Sequence, residues 1–189
     1  KPFLENIKQE IENGSTTFIL QGQSGCGKTS VMAKLASSVK KWIGDPKATL
    51  VLRFIGTTAN SFAIRDLLKS ICVQLYKATG HQMEEIPEDL KSLKEYLNTC
   101  LELAADKHPV ILMLDSLDQL SGDDGGLQLE WLPTTLPSDV YLILSTLPEE
   151  KYICLPKLKM HFPEEAFKAI PKMNKEEAAD ILDNWLKDA

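Results

Sequence analysis

TTFILQGQSGCGKTSVMAKLA (residues 16–36) changes its pattern twice within one short stretch. An apolar run closes on Gly22, glycines recur at 25 and 27, and from Lys28 the apolar residues Val31, Leu35, Val39 and Trp42 fall at helical spacing. That reads as a strand, a glycine-rich turn and a helix. Within it, GQSGCGKT (22–29) matches G-x-x-x-x-G-K-[ST] in full, in the strand-to-helix context that the pattern requires. Two glycines, a lysine and a hydroxyl residue meet at these spacings by accident in only about one chain in a hundred of this length.

The chemistry of the motif is that of a phosphate cradle. A backbone that curls through Gly22, Gly25 and Gly27 can aim successive N–H groups at phosphate oxygens. The helix that starts near Lys28 adds its unpaired N–H groups and its positive end. Lys28 is placed for the β- and γ-phosphates and the Thr29 hydroxyl for Mg²⁺. The expected nucleotide-binding set is therefore Gly22, Gln23, Ser24, Gly25, Cys26, Gly27, Lys28, Thr29 and Ser30. The competing reading, a glycine-rich turn with a solvated lysine, leaves the strand and helix on either side unexplained.

Working outward, TLVLRFIGT (49–57) predicts a second buried strand, and NSFAIRDLLKSICVQLYKATG a helix with Ile64, Leu67, Leu68, Ile71 and Leu75 on one face. PEDLKSLKEYLNTCLELAADK repeats that pattern through Leu90, Leu93, Leu97 and Leu101 until Pro109. VILMLD (110–115) and VYLILST (140–146) are continuous apolar runs of the kind covered on both faces, SGDDGG (121–126) reads as a loop, and KLKMHF, closing at Phe162, as a weaker fifth strand. Strands alternating with helices predict an α/β fold: three layers around a five-stranded, mostly parallel sheet. NKEEAADILDNWL places Asn174 three residues before Glu177, the pattern of a helix start, so a C-terminal helical module is expected to begin there.

VILMLD ends in Asp115. A buried parallel strand delivers its last residue to the carboxyl edge of the sheet, where ligands of open α/β sheets bind, so Asp115 is the candidate for holding Mg²⁺ directly or through water. Asp118 follows one short turn later and is the candidate catalytic residue, placed to polarise water; the plainer alternative is a loop-start carboxylate capping backbone. Gln119 can orient water but cannot take its proton.

Composition sets limits on the rest. The 189 residues are 43% hydrophobic and 25% charged, enough for one packed core, and the formal charge of -6 argues against a broad basic surface for nucleic acid. Cys26, Cys72, Cys100 and Cys154 show neither metal-ligand spacing nor a disulfide framework, which suits a reduced, cytoplasmic protein. No apolar run approaches the ~18 residues of a membrane span. Lys34, Lys40, Lys41 and Lys47 read as a solvated face, His81, His108 and His161 as isolated, Cys26 as a spacer and Trp131 as packing. A first residue other than Met and a last segment that looks helical suggest a fragment.

The stretches LQGQSGCGKTSVMAKLA, ILMLDSLDQL and PKMNKEEAADILDNWL resemble those of NACHT-type P-loop NTPases of the STAND group. LRFIGTTANSFAIRDLLKSICVQL, LEWLP and VYLILSTLP look most like the NACHT and WD-repeat domain-containing proteins, with nephrocystin-3 and telomerase protein component 1 as similar relatives. The resemblance implies a nucleotide-binding domain over residues 1–165 and the truncated beginning of a helical domain over 166–189. It implies ATP or ADP as ligand with Mg²⁺ as cofactor, and other protein domains or subunits, in a nucleotide-dependent oligomer, as partners. Neither nucleic acid nor a membrane is expected as a partner.

Two departures bear on rate. The family commonly carries D-G-x-D-E where this chain has Asp115-Ser116-Leu117-Asp118-Gln119, and T-S-R-P where this chain has Ser145-Thr146-Leu147-Pro148. Leucine thus stands at the arginine position, and an arginine reaching the γ-phosphate is worth ~10³–10⁵ in rate. Arg53 and Arg65 are the chain's only arginines, and structural ion pairs are the simpler role for both. The expectation is a slow ATP-operated switch in a larger signalling or scaffold protein. A degenerate loop that serves only as a scaffold would retain no nucleotide, and a fast ATPase would turn over at about 1–100 s⁻¹.

Overall fold

A computed structural model describes residues 2–58, 61–80, 85–148 and 153–171. The helices are α1 (Pro2–Glu12), α2 (Lys28–Ile43), α3 (Ile64–Thr79), α4 (Leu90–Ala105) and α5 (Cys154–His161). The strands are β1 (Thr17–Gln21), β2 (Thr49–Phe54), β3 (Val110–Asp115), β4 (Val140–Thr146) and β5 (Phe167–Ala169), ordered β2-β3-β4-β1-β5 with every neighbouring pair parallel.

The continuous apolar runs occupy the middle of this sheet because both of its faces are covered. All six residues of β3 are buried. Val110, Leu112 and Leu114 turn to the side packed by Ile71 and Leu75 of α3 and Leu97 and Leu101 of α4. Ile111 and Met113 turn to the other side, against Met32, Leu35 and Val39 of α2 and Ile7 and Ile11 of α1. The alternation is that of a pleated strand, and each fully buried Leu or Ile contributes about 1.5–3 kcal/mol relative to an exposed one. α4 starts at Asp89, whose carboxylate accepts the Ser92 N–H at 2.9 Å, so a side chain satisfies one of the helix's free donors.

Several expectations change. TLVLRF is the sheet's edge strand and not a buried one: only Val51 is fully enclosed. Two of its outward carbonyls are covered by side chains, Leu50 by the Gln74 amide of α3 at 2.8 Å and Leu52 by the guanidinium of Arg53 on β2 itself at 3.0 Å. KLKMHF is helical, forming most of α5, because Cys154, Leu155 and Leu158 make one buried face while Met160 is 74% exposed. The fifth strand is instead Phe167–Ala169, which pairs with β1, so the sheet continues past residue 165. SGDDGG contains the start of a 3-10 segment, Asp123–Gln128, kinked at Asp124 and Gly125. The helix α1 had no counterpart in the sequence reading. The expected helix from Asn174 onward lies outside the described residues, as does His81.

His108 is paired and not isolated: its Nδ1 lies 3.2 Å from the Asp45 carboxylate. His161 is the last residue of α5. The four cysteines are free thiols. Trp131 is 3% exposed and donates its indole N–H to the Gly126 carbonyl at 2.8 Å, a packing role.

Candidate functional site

The site forms where β1, β4 and β3 end side by side. Residues 22–27 leave β1 and curl back to start α2. Gly27 caps that helix at φ 91, and Gly25 has φ 76, both in the left-handed region that glycine enters without strain. Gly22 is needed for a different reason: a Cβ there would lie 2.5 Å from Cys26 Sγ. Cys26 is thus the spacer against which the loop closes. The loop is tied internally by the Cys26 N–H to the Gln23 carbonyl at 3.1 Å.

Lys28 is 9% exposed and donates from Nζ to the carbonyls of Gly22 (2.6 Å) and Gln23 (3.1 Å). Its charge is therefore held inside the curl of the loop, with a third ammonium proton still available to an anion. One residue on, Thr29 donates its hydroxyl to Asp115 Oδ2 at 2.7 Å, across 86 positions of sequence. The other oxygen, Oδ1, accepts from the Ser145 hydroxyl at 2.5 Å. Asp115 is 2% exposed, so this carboxylate is buried but hydrogen-bonded at both oxygens, the condition under which a buried charge is tolerated.

Beyond Asp115 the chain turns sharply. Ser116 takes φ 63, ψ 55, left-handed for a residue with a Cβ, and its N–H donates to Ser145 Oγ at 2.8 Å. A 3-10 turn follows at Leu117–Gln119 and carries Asp118 to the mouth of the site. Asp118 Oδ1 accepts the Leu147 N–H at 3.1 Å, and Oδ2 accepts the Gln119 side-chain amide at 2.8 Å. A carboxylate has about four lone-pair positions, so room remains for a water. Behind this turn, burial and the Asp118 charge push the Cys154 thiol up to about 12, which leaves it protonated and unreactive.

These groups line a cleft of about 340 Å³: Ser24, Gly25, Gly27, Lys28 and Thr29 on one wall, Ser116, Asp118, Gln119 and Leu147 on the other. Of the expected nucleotide-binding set, Gly22, Gln23, Cys26 and Ser30 fall outside that lining, the first three acting through the loop's shape and its carbonyls. Asp115 is beneath the floor, reached through Thr29. Leu147, at the arginine position, lines the wall. Arg53 is elsewhere, bonded to Ser70, Gln74 and the Leu52 carbonyl, and Arg65 makes a two-toothed pair with Asp124. Ser145 and Ser116 went unrecognised in the sequence. Their signal is a pair of hydroxyl residues, Ser145 and Thr146, closing an otherwise apolar strand.

The donors suit a hard cation. Thr29 and Asp115 offer oxygen only, and no cluster of three or more His, Cys, Asp or Glu exists among the described residues. Such a sparse oxygen set fits Mg²⁺, which keeps most of its waters and takes remaining ligands from substrate phosphates.

The NACHT domain family model matches residues 16–189. NACHT and WD repeat domain-containing protein 2 of Mus musculus is 32% identical over 164 residues, which is 83% of this chain and 9% of that protein. NACHT domain- and WD repeat-containing protein 1 of Mus musculus is 33% identical over 146 residues, 75% of this chain and 9% of that protein. The chain thus spans about a tenth of the length of these relatives. Among solved structures, the Orc1 protein of Aeropyrum pernix, determined in complex with DNA, superposes with a TM-score of 0.65 at 16% identity, covering 99% of this chain and 49% of that one. At that identity the likeness is one of fold.

Proposed function

The chain belongs to the NACHT domain family of P-loop NTPases, and from that premise we propose that it is the nucleotide-operated switch of a larger protein, holding ATP or ADP and hydrolysing ATP slowly. The observation that carries the reading is the joining of Thr29 to Asp115 at 2.7 Å beneath the loop that encloses Lys28. A phosphate cradle, a hydroxyl for a metal and a carboxylate to orient that hydroxyl converge from α2 and β3 on one cleft.

In this reading the loop amides of residues 24–29 bind the β-phosphate, and Lys28 neutralises the β- and γ-phosphates. The Thr29 hydroxyl would hold Mg²⁺, with Asp115 orienting that hydroxyl or a metal-bound water, and the ion would supply neutralisation of charge on the phosphate oxygens. Asp118 accepts a hydrogen bond from the attacking water. As the water oxygen bonds to the γ-phosphorus, the bond to the β–γ bridging oxygen breaks, ADP leaves, and the water's proton passes through Asp118 to solvent. Leu147 lines the wall where relatives carry a cation, and among the described residues Lys28 is the one cation of the lining. The turnover therefore falls near the ~10⁻⁴–10⁻² s⁻¹ of unassisted switch NTPases. A rate on that scale suits a timer that other domains of the protein read.

Three variants measured in parallel test the assignment. Lys28→Ala is expected to remain folded and to lose binding of a fluorescent ATP analogue. Asp115→Asn is expected to weaken Mg²⁺-dependent binding. Asp118→Asn is expected to bind ATP normally and to hydrolyse it more slowly in a single turnover. Undiminished affinity in Lys28→Ala, or a wild type turning over several times per second, would sink the proposal.

A further inference from the structure

The sheet order places β4 between β1, which leads into the phosphate-binding loop, and β3, which ends in Asp115 and leads into the turn that carries Asp118. Ser145 stands opposite Leu20 on β1, one residue before that strand ends, and Leu144 stands opposite Leu114 on β3, so Ser145 is level with Asp115 at the end of β3. It is fully buried and lies outside the lining of the cleft. We propose that Ser145 is the positioning residue of the site: its hydroxyl fixes the carboxylate of Asp115 for the metal and pins the Ser116 turn from which Asp118 is presented. The inference rests on the nucleotide reading above.

A serine hydroxyl has one proton to give and lone pairs to receive. Ser145 spends the proton on Asp115 Oδ1 and receives the Ser116 N–H. With Thr29 on Oδ2, Asp115 is held at both oxygens from two different elements, which removes rotation of the carboxylate about its own axis. Ser116 adopts a left-handed conformation that a residue with a Cβ enters at a cost, and the bond to Ser145 is what its amide gains there. Two residues further along the same strand end, the Leu147 N–H holds Asp118. The end of β4 therefore grips both acids, Asp115 by a side chain and Asp118 by backbone. Removing the Ser145 hydroxyl leaves Asp115 anchored by Thr29 alone and the Ser116 amide without its partner, so both acids lose their aim together.

Groups that orient a metal's ligands typically alter metal affinity about ten- to a hundredfold when removed. Ser145→Ala and Ser145→Cys, the second keeping the volume but offering only a weak donor, are compared with the wild type. The probe is a fluorescent ATP analogue, titrated in EDTA and across a Mg²⁺ series, followed by single-turnover hydrolysis. The expected result is Mg²⁺-free affinity within about twofold of the wild type, a Mg²⁺ midpoint raised about tenfold or more, and hydrolysis slowed by at least a similar factor, with Ser145→Cys intermediate. A Mg²⁺ midpoint and rate unchanged in Ser145→Cys overturn the inference while leaving the nucleotide reading intact. Equal loss of affinity with and without Mg²⁺ marks Ser145 as merely structural and also overturns it. If Ser145→Ala does not fold, Ser145→Cys alone decides. A wild type that binds no analogue, or binds it indifferently to Mg²⁺, removes the parent reading and this inference with it.

Discussion

At the scale of single residues, Gly22 and Cys26 illustrate how a phosphate loop closes on itself. The space that a methyl group at residue 22 would need is filled by the Cys26 sulfur, with Ile170 Cβ 3.4 Å from the same point. Gly22→Ala is therefore expected to cost about 1–3 kcal/mol through overpacking, and adding Cys26→Ala to recover most of it. Urea midpoints of the two single variants and the double variant measure the coupling; strict additivity would mean that the sulfur is not the obstacle. The loop was legible in the sequence because its eight residues are contiguous and their chemistry depends on backbone shape. Asp115 and Asp118 were legible from the strand that delivers them. What could not be read was which partner each would take. The Thr29–Asp115 bond spans 86 positions and the Ser145–Asp115 bond 30, and only the order of strands brings those residues together.

Among the elements, the fully covered strands were readable to the residue, since VILMLD and VYLILST have no polar interruption to blur their ends. Short or half-covered elements were not. Leu158, Met160 and Phe162 alternate like a strand, yet the buried pair Leu155 and Leu158 follows helical spacing, and it is packing that chooses between the two patterns. Phe167–Ala169 is too short to carry a pattern at all and becomes a strand by pairing with β1. α1 covers Phe3, Leu4, Ile7 and Ile11 along one face, a helical spacing that the sequence does carry, within only eleven residues. Where burial is complete, energy follows it: Leu97→Ala in α4, at a site with 0% exposure, should lower stability by about 2–5 kcal/mol. A urea-unfolding difference below about 1 kcal/mol would show that the neighbouring helices close over the gap more easily than a packed core allows.

Across the whole molecule, three surface carboxylates, Asp45 partly covered and Asp89 and Asp124 exposed, are held below the ordinary carboxylate range. Asp45 is lowered chiefly by the Lys47 N–H and then by His108, Asp89 by the Ser92 N–H, and Asp124 by Arg65. A carboxyl with a depressed folded pKa gives its full contribution above its unfolded value and loses it as pH falls through the folded one. Stability is thus expected to stay level from neutrality down to about pH 5 and to decline below about pH 4. The decline should be shallower when Asp45, Asp89 and Asp124 are all replaced by Asn; identical acid limbs for this variant and the wild type would place the effect elsewhere. The edge of the sheet has a further consequence at this scale. With the Leu50 and Leu52 carbonyls already engaged by Gln74 and Arg53, two of the acceptors that a foreign strand would use along β2 are occupied. Lateral polymerisation through the backbone is thereby discouraged at the edge beside α3. At that edge, Gln74 and Arg53 put side chains between the main chain and a neighbour, and side chains can discriminate between partners where the main chain cannot.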